Sequence, residues 1–142
     1  MLAALGSERH SDYPPASLIE RVEQFDAESN DIIPAAADAL ARGDLSAFGA
    51  AVARSQSGAE CALHNQIPET IALVRSGRAL GAVAASAFGA GFGGSVWALV
   101  ERARAEEFRE RWAEAYRVEF PGAAARAEFF VTGAGPAATR LA

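Results

Sequence analysis

Residues 81–100 read Gly-Ala-Val-Ala-Ala-Ser-Ala-Phe-Gly-Ala-Gly-Phe-Gly-Gly-Ser-Val-Trp-Ala-Leu-Val. Two uncharged runs, Ala82–Phe88 and Ser95–Val100, flank a loop in which four of six residues are glycine. The flanks are small, β-branched or aromatic, which suits a pair of buried strands. Glycines permit positive φ, so such a loop brings bare backbone up to a ligand or to another part of the chain. It also fits a purely structural hairpin. Gly89, Gly91 and Gly94 satisfy the spacing G-x-G-x-x-G. The dinucleotide fingerprint, however, needs a helix to open at the third glycine, and here a strand-like run follows. A nucleotide-triphosphatase P-loop requires Gly-Lys-Ser/Thr. The chain has no lysine; all 13 basic residues are arginine.

Working outward, the pattern is helical on both sides. Ser17-Leu18-Ile19-Glu20 has capping-box spacing and predicts a helix with Ile19, Val22 and Phe25 inward. Pro34 removes an amide donor and predicts a kink or restart. Ala35–Ala41 continues the helix and Gly43 stops it. Asp44 reads as the next N-cap, with Leu45, Phe48 and Val52 on one face of a helix ending near Gly58. Pro68 and Glu69 open another, which Gly81 closes. Beyond the glycine hairpin, Arg102–Phe120 is an amphipathic helix with Phe108, Trp112 and Ala115 inward, ended by Pro121-Gly122. Glu128–Thr132 predicts a third strand. The order of elements predicts an α+β fold, helices packed on one face of a small, mostly antiparallel sheet. Residues 1–16 read as a lead-in, 17–132 as the domain and 133–142 as a frayed tail.

Composition narrows the chemistry. With 142 residues, 51% hydrophobic and 22% charged, the chain suits one globular domain. A net charge of −5 with dispersed arginines argues against nucleic acid or an anionic membrane as partner. Cys61 is the only cysteine, which rules out an internal disulfide, and beside Ala62 and Leu63 it is expected in the core. No signal peptide fits Met1–Leu5, and the expected location is cytoplasmic. His10 and His64 stand without carboxylates at ligand spacing, so no metal site is assigned. His64-Asn65-Gln66 precedes a helix and is expected to cap it or to form an interface. Glu106, Glu107, Glu110 and Glu114 alternate with arginines at helical spacing, the signature of a solvated face. No catalytic residue is assigned. The one ligand-facing element is Gly89, Ala90, Gly91, Phe92, Gly93, Gly94 and Ser95.

That heptapeptide resembles the third motif of the GHMP kinase superfamily, in its galactokinase branch. Ala41–Leu45, Phe48-Gly49, Arg54-Ser55-Gln56, Pro68-Glu69-Thr70 and Trp97–Val100 are similar to stretches that accompany the motif, in the family's order. The resemblance covers roughly residues 18–120. It implies a ferredoxin-like C-terminal domain of a sugar kinase that uses ATP and magnesium to phosphorylate a sugar hydroxyl. Its glycine loop would close the active site near phosphates and sugar. The family's N-terminal elements, namely the sugar signature, the serine-rich ATP loop and the acidic base, have no counterpart in these residues. The implied partner is therefore a missing N-terminal kinase domain, or self-association, and the chain alone is expected to be inactive. Galactokinases usually carry an arginine three residues before the first loop glycine and a threonine directly before it. Here those positions hold Ser86 and Phe88, which leaves open whether the sugar is galactose or a related sugar or sugar acid. The competing reading is a stand-alone ferredoxin-like binding or dimerisation module.

Overall fold

A computed structural model describes residues 14–135. The lead-in over residues 1–13, with His10, and the tail from residue 136 lie outside the described residues. Helix α1 spans Pro15–Ala27 and passes through a π-helical turn, Glu28–Ile32, into α2, Ile33–Ala41. The sequence placed the interruption at Pro34, and its physical cause is that proline. Its ring would crowd the carbonyl of Asn30, four residues earlier, and the wider π turn over that residue absorbs the conflict. The start of α1 corrects one expectation. Proline occupies both the cap position (Pro14) and the first turn (Pro15), so the helix begins two residues before Ser17, which makes no capping bond. Phe25 is 72% exposed rather than inward, because α1 runs along the margin of the domain and buries none of its residues fully.

Helix α3, Leu45–Cys61, begins as the sequence predicts. The Asp44 carboxylate accepts a hydrogen bond of 2.9 Å from the Ala47 amide, and Gly43 takes φ +69° in the turn before it. Asp44→Ala is expected to lower stability by about 1 kcal/mol. Urea denaturation checks this, and an unchanged midpoint would show that the cap contributes nothing. Gly58 does not end α3. It lies against the Gln24 side chain of α1, with which a Cβ there would collide. The three extra residues carry Cys61 out to an exposed position, which corrects its expected place in the core. Leu45, in the first turn, is also exposed.

Helix α4, Pro68–Ala79, leads into strand β1, Ala84–Phe88, which pairs antiparallel with β2, Ser95–Leu99, in the register Ala84↔Leu99 to Phe88↔Ser95. A 3₁₀ turn, Arg102–Arg104, opens α5, Ala105–Glu119, and Pro121 starts a short helix, α6, Pro121–Ala124, instead of ending the structure. The core centres on Ala82, Phe108 and Trp112, with Leu73, Leu80, Val96, Ala98, Val100 and Phe129 packed against them. The Trp112 indole N–H donates to the Leu73 carbonyl at 2.9 Å. That bond satisfies the polar edge of a ring otherwise in apolar contact. Burial holds the nearby Tyr116 phenol above its ordinary pKa; the Glu69 charge adds to this and Arg126 opposes it.

The expected third strand is not formed among the described residues. Glu128–Thr132 has no ladder. Phe129 instead anchors the segment, with ring centroids 5.5 Å from Trp112 and 5.9 Å from Tyr116. The segment therefore gains its order from one aromatic side chain and not from backbone pairing.

Candidate functional site: the glycine loop and its seat

Residues 89–94 connect β1 to β2, and the backbone shows what the glycines do. Gly91 has φ +85° and Phe92, not a glycine, has φ +60°. A side chain at Gly91 would overlap the residue beneath it. Its Cβ would stand 2.7 Å from both Cβ and Cγ of Asn65, and closer still to the Asn65 carbonyl oxygen. That close approach is made by hydrogen bonds. The Phe92 amide donates to the Asn65 carbonyl, and the Asn65 side-chain amide donates to the Ala90 carbonyl at 3.3 Å. The loop is thus a cover bonded down onto Asn65, with Gly93 resting near the Ile67 side chain.

Asn65 is itself braced from α4. Gln66 donates to the Asn65 side-chain oxygen at 3.0 Å and accepts from the Thr70 hydroxyl at 2.9 Å. Thr70, 2% exposed, accepts from the Ile67 amide at 3.2 Å and so caps the start of α4. The polar stretch His64-Asn65-Gln66 does not itself cap α4, since the capping bond runs from the Ile67 amide to Thr70 within the helix. Which residue seats the loop was not legible in the sequence, because Asn65 and Gly91 meet through folding alone. His64, adjacent to Asn65, adopts φ +50° and points its Nε2 toward Glu20 on α1 at 3.8 Å.

The chemistry this permits is electrostatic. Backbone amides in a glycine-rich turn, close to the N-terminal end of a twelve-residue helix, favour an anion such as phosphate. The seven loop residues contain no carboxylate, imidazole or thiol. Among the described residues, no group of three or more His, Cys, Asp or Glu side chains converges at metal-binding distances. Two cavities among the described residues lie elsewhere. One, of about 330 Å³, is lined by Arg21, Phe25, Glu28 and Leu63; the other, of about 170 Å³, by Gly81, Arg104 and Phe108. The loop is an open surface, with Phe88 57% and Phe92 70% exposed beside it.

Ser86, where the resembled kinases carry arginine, is buried and donates to the Gln56 side-chain oxygen at 3.0 Å. The same oxygen accepts from the Ala87 amide at 2.9 Å. Gln56, 4% exposed, thereby ties α3 to the outer edge of β1. Its sequence signal was its place one turn beyond Phe48 and Val52 on the buried face of α3.

The described residues thus form a helix-flanked antiparallel hairpin whose glycine loop is bonded down beside the start of α4. The family described as GHMP kinases C terminal matches residues 36–118, and the chain belongs to it. Among solved structures it is similar to the galactokinase of Lactococcus lactis crystallised with galactose. The TM-score is 0.68 at 22% identity, over 85% of this chain and 31% of that one. The likeness is one of fold, and the chain spans under a third of the length of that enzyme. No curated protein sequence matches it. Among the described residues no helix is long and apolar enough to cross a membrane.

Proposed function

We propose that this chain is the C-terminal part of a galactokinase-like sugar kinase, which transfers a phosphoryl group from ATP to a sugar hydroxyl. The observation that carries the reading is the seated glycine loop of a GHMP C-terminal domain, Gly89–Ser95, fastened to Asn65. In this reading the loop amides and the Ser95 hydroxyl face phosphate and sugar and close the site. Phosphoryl transfer relies chiefly on position and electrostatic stabilisation, so an element without a base still contributes. The donor set here does not suit magnesium, since the loop has no carboxylate; that ion would be held by the N-terminal half together with the base and the main ATP contacts. Exposed Phe88, Phe92 and Leu99 form the apolar surface such a half would cover.

The test has two arms. The isolated chain is incubated with ATP, magnesium and a panel comprising galactose, related hexoses and galacturonate, and sugar phosphate is measured. None is expected, and turnover by the chain alone would overturn the divided-site reading. In the second arm, DNA upstream of the Met1 codon is sequenced. A frame encoding a serine-rich ATP loop is expected. An unrelated upstream gene would favour a stand-alone binding or dimerisation module.

A further inference from the structure

Three side chains form an unbroken line of hydrogen bonds from the start of α4 to the glycine loop. The Ile67 amide donates to the Thr70 oxygen, and the Thr70 hydroxyl donates to the Gln66 side-chain oxygen at 2.9 Å. The Gln66 amide donates to the Asn65 side-chain oxygen at 3.0 Å, and the Asn65 amide donates to the Ala90 carbonyl at 3.3 Å. The direction of the line is fixed from both ends. A carbonyl only accepts, so Asn65 must turn its NH2 toward Ala90 and its oxygen toward Gln66. Gln66 must then meet that oxygen with its own NH2, which leaves its oxygen for Thr70. At the other end a backbone N–H only donates, so the Thr70 oxygen accepts from Ile67 and its proton passes onward. The Ile67 carbonyl, also 3.0 Å from that hydroxyl, already accepts from the Ile71 amide. The two ends require the same polarity.

The line also carries a load. Among the described residues, the non-glycine residues at positive φ are His64, at +50°, and Phe92, at +60°. One adjoins Asn65 in the chain, and the other donates its amide to the Asn65 carbonyl. Backbone of this kind persists only where its surroundings over-determine it. Asn65 supplies two bonds to the loop, one from its carbonyl and one from its side chain. The first survives any side chain at position 65. The second depends on which end of the Asn65 amide faces the loop, and residue 66 decides that.

We propose that Gln66 is a positioning residue for the glycine loop: anchored on the buried Thr70, it sets the polarity of the Asn65 amide and so holds Ala90 down. The position needs a group that accepts at one end and donates at the other, and glutamine offers both from one planar amide. A glutamate there has acceptors alone. The Asn65 amide would then turn over to donate to the carboxylate, a stronger, charge-assisted bond, and would set its own oxygen against the Ala90 oxygen. With glutamine in place the loop is set before any ligand arrives, which removes an ordering cost from binding. The proposal rests on the kinase reading only for what the loop serves. Its test uses no substrate, so its failure would leave that reading untouched.

Hydrogen exchange of the whole chain is the direct test, with the Phe92 amide reporting on the loop and the Trp112 amide on the core. Gln66→Glu is expected to lower Phe92 protection about fivefold or more, the loss of one hydrogen bond of about 1 kcal/mol, and to leave Trp112 protection unchanged. Asn65→Ala is expected to do the same. The double variant decides the route. If Gln66 acts through Asn65, then Gln66→Glu adds nothing once Asn65 is alanine. Additive losses would mean that the new charge acts on the loop directly, and would overturn the proposal, as would unchanged Phe92 protection in Gln66→Glu. Thr70→Ser keeps the hydroxyl and should preserve Phe92 protection, whereas Thr70→Val should lower it; equal effects would overturn Thr70 as the anchor. The unmodified chain gives a readout that needs no variant to fold. The side-chain NH2 protons of Asn65 and Gln66 should exchange more slowly than those of a free amide, and exchange at the free rate would overturn the proposal.

Discussion

Gly91→Val is expected to lift the glycine loop off Asn65 and to abolish whatever the loop does for a bound phosphate. Two penalties combine at this position. A β-branched residue at φ +85° is strained by about 1–3 kcal/mol. Its Cβ would also overlap Asn65, and overpacking of a fixed contact adds about 1–3 kcal/mol. Against this stand the two hydrogen bonds that seat the loop, each contributing about 1 kcal/mol. The strain exceeds the attachment, so the loop undocks and the fold survives. Gly89→Ala is the control. Nothing lies within 4 Å of a Cβ there, and positive φ alone costs about 1 kcal/mol, too little to break both bonds. Amide exchange at Phe92 distinguishes the two, with protection lost in Gly91→Val and largely kept in Gly89→Ala. Equal protection in both variants would show that the Asn65 seat does not hold the loop. In a complete kinase the first variant should lose activity and the second retain much of it.

The contrast between those two glycines marks what the sequence discloses. That residues 81–100 form a hairpin was legible from two uncharged runs around a cluster of glycines, because strand and turn preferences are local. Asp44, Pro68 and the Phe108–Trp112 stripe were legible for the same reason: capping and helical periodicity are read within a few residues. That Gly91 meets Asn65 while Gly89 meets nothing depends on a contact between residues 26 apart in the chain, which no local pattern encodes. The failures share this cause. Phe25 had the spacing of a core residue, but α1 lies at the margin and leaves it exposed. Glu128–Thr132 had the composition of a strand, yet a strand exists only with a neighbour, and none stands beside it among the described residues. Cys61 sat among apolar residues, and its exposure followed from α3 running one turn past Gly58.

Gln56→Leu is expected to destabilise the domain by about 2–3 kcal/mol and to loosen the strand that carries the loop. Leucine is close to glutamine in size, so the loss is one of hydrogen bonding and not of packing. The orphaned groups differ in their alternatives. The Ser86 hydroxyl also lies 3.0 Å from the Ala87 carbonyl and can donate there when Gln56 is gone. Glu60, which accepts from the Gln56 amide at 2.9 Å, is only half-buried and can turn to water. The Ala87 amide has no substitute: it points away from β2 toward the apolar side chain that replaced its acceptor. A half-buried donor facing an apolar side chain and left unpaired costs about 1–3 kcal/mol, and that single group accounts for most of the effect. It follows that Ser86→Ala should cost less, about 1 kcal/mol or below, since Gln56 still accepts from Ala87. The double variant should resemble Gln56→Leu alone. Urea denaturation of the three variants measures the cycle. If Ser86→Ala were as damaging as Gln56→Leu, the hydroxyl and not the Ala87 amide would be the group that Gln56 serves. The position matters for function because Ala87 is two residues from Gly89. The bond from α3 sets the angle at which β1 delivers the chain into the loop, so Gln56→Leu should also raise the exchange rate of the Phe92 amide, a readout that damage confined to α3 would leave unchanged.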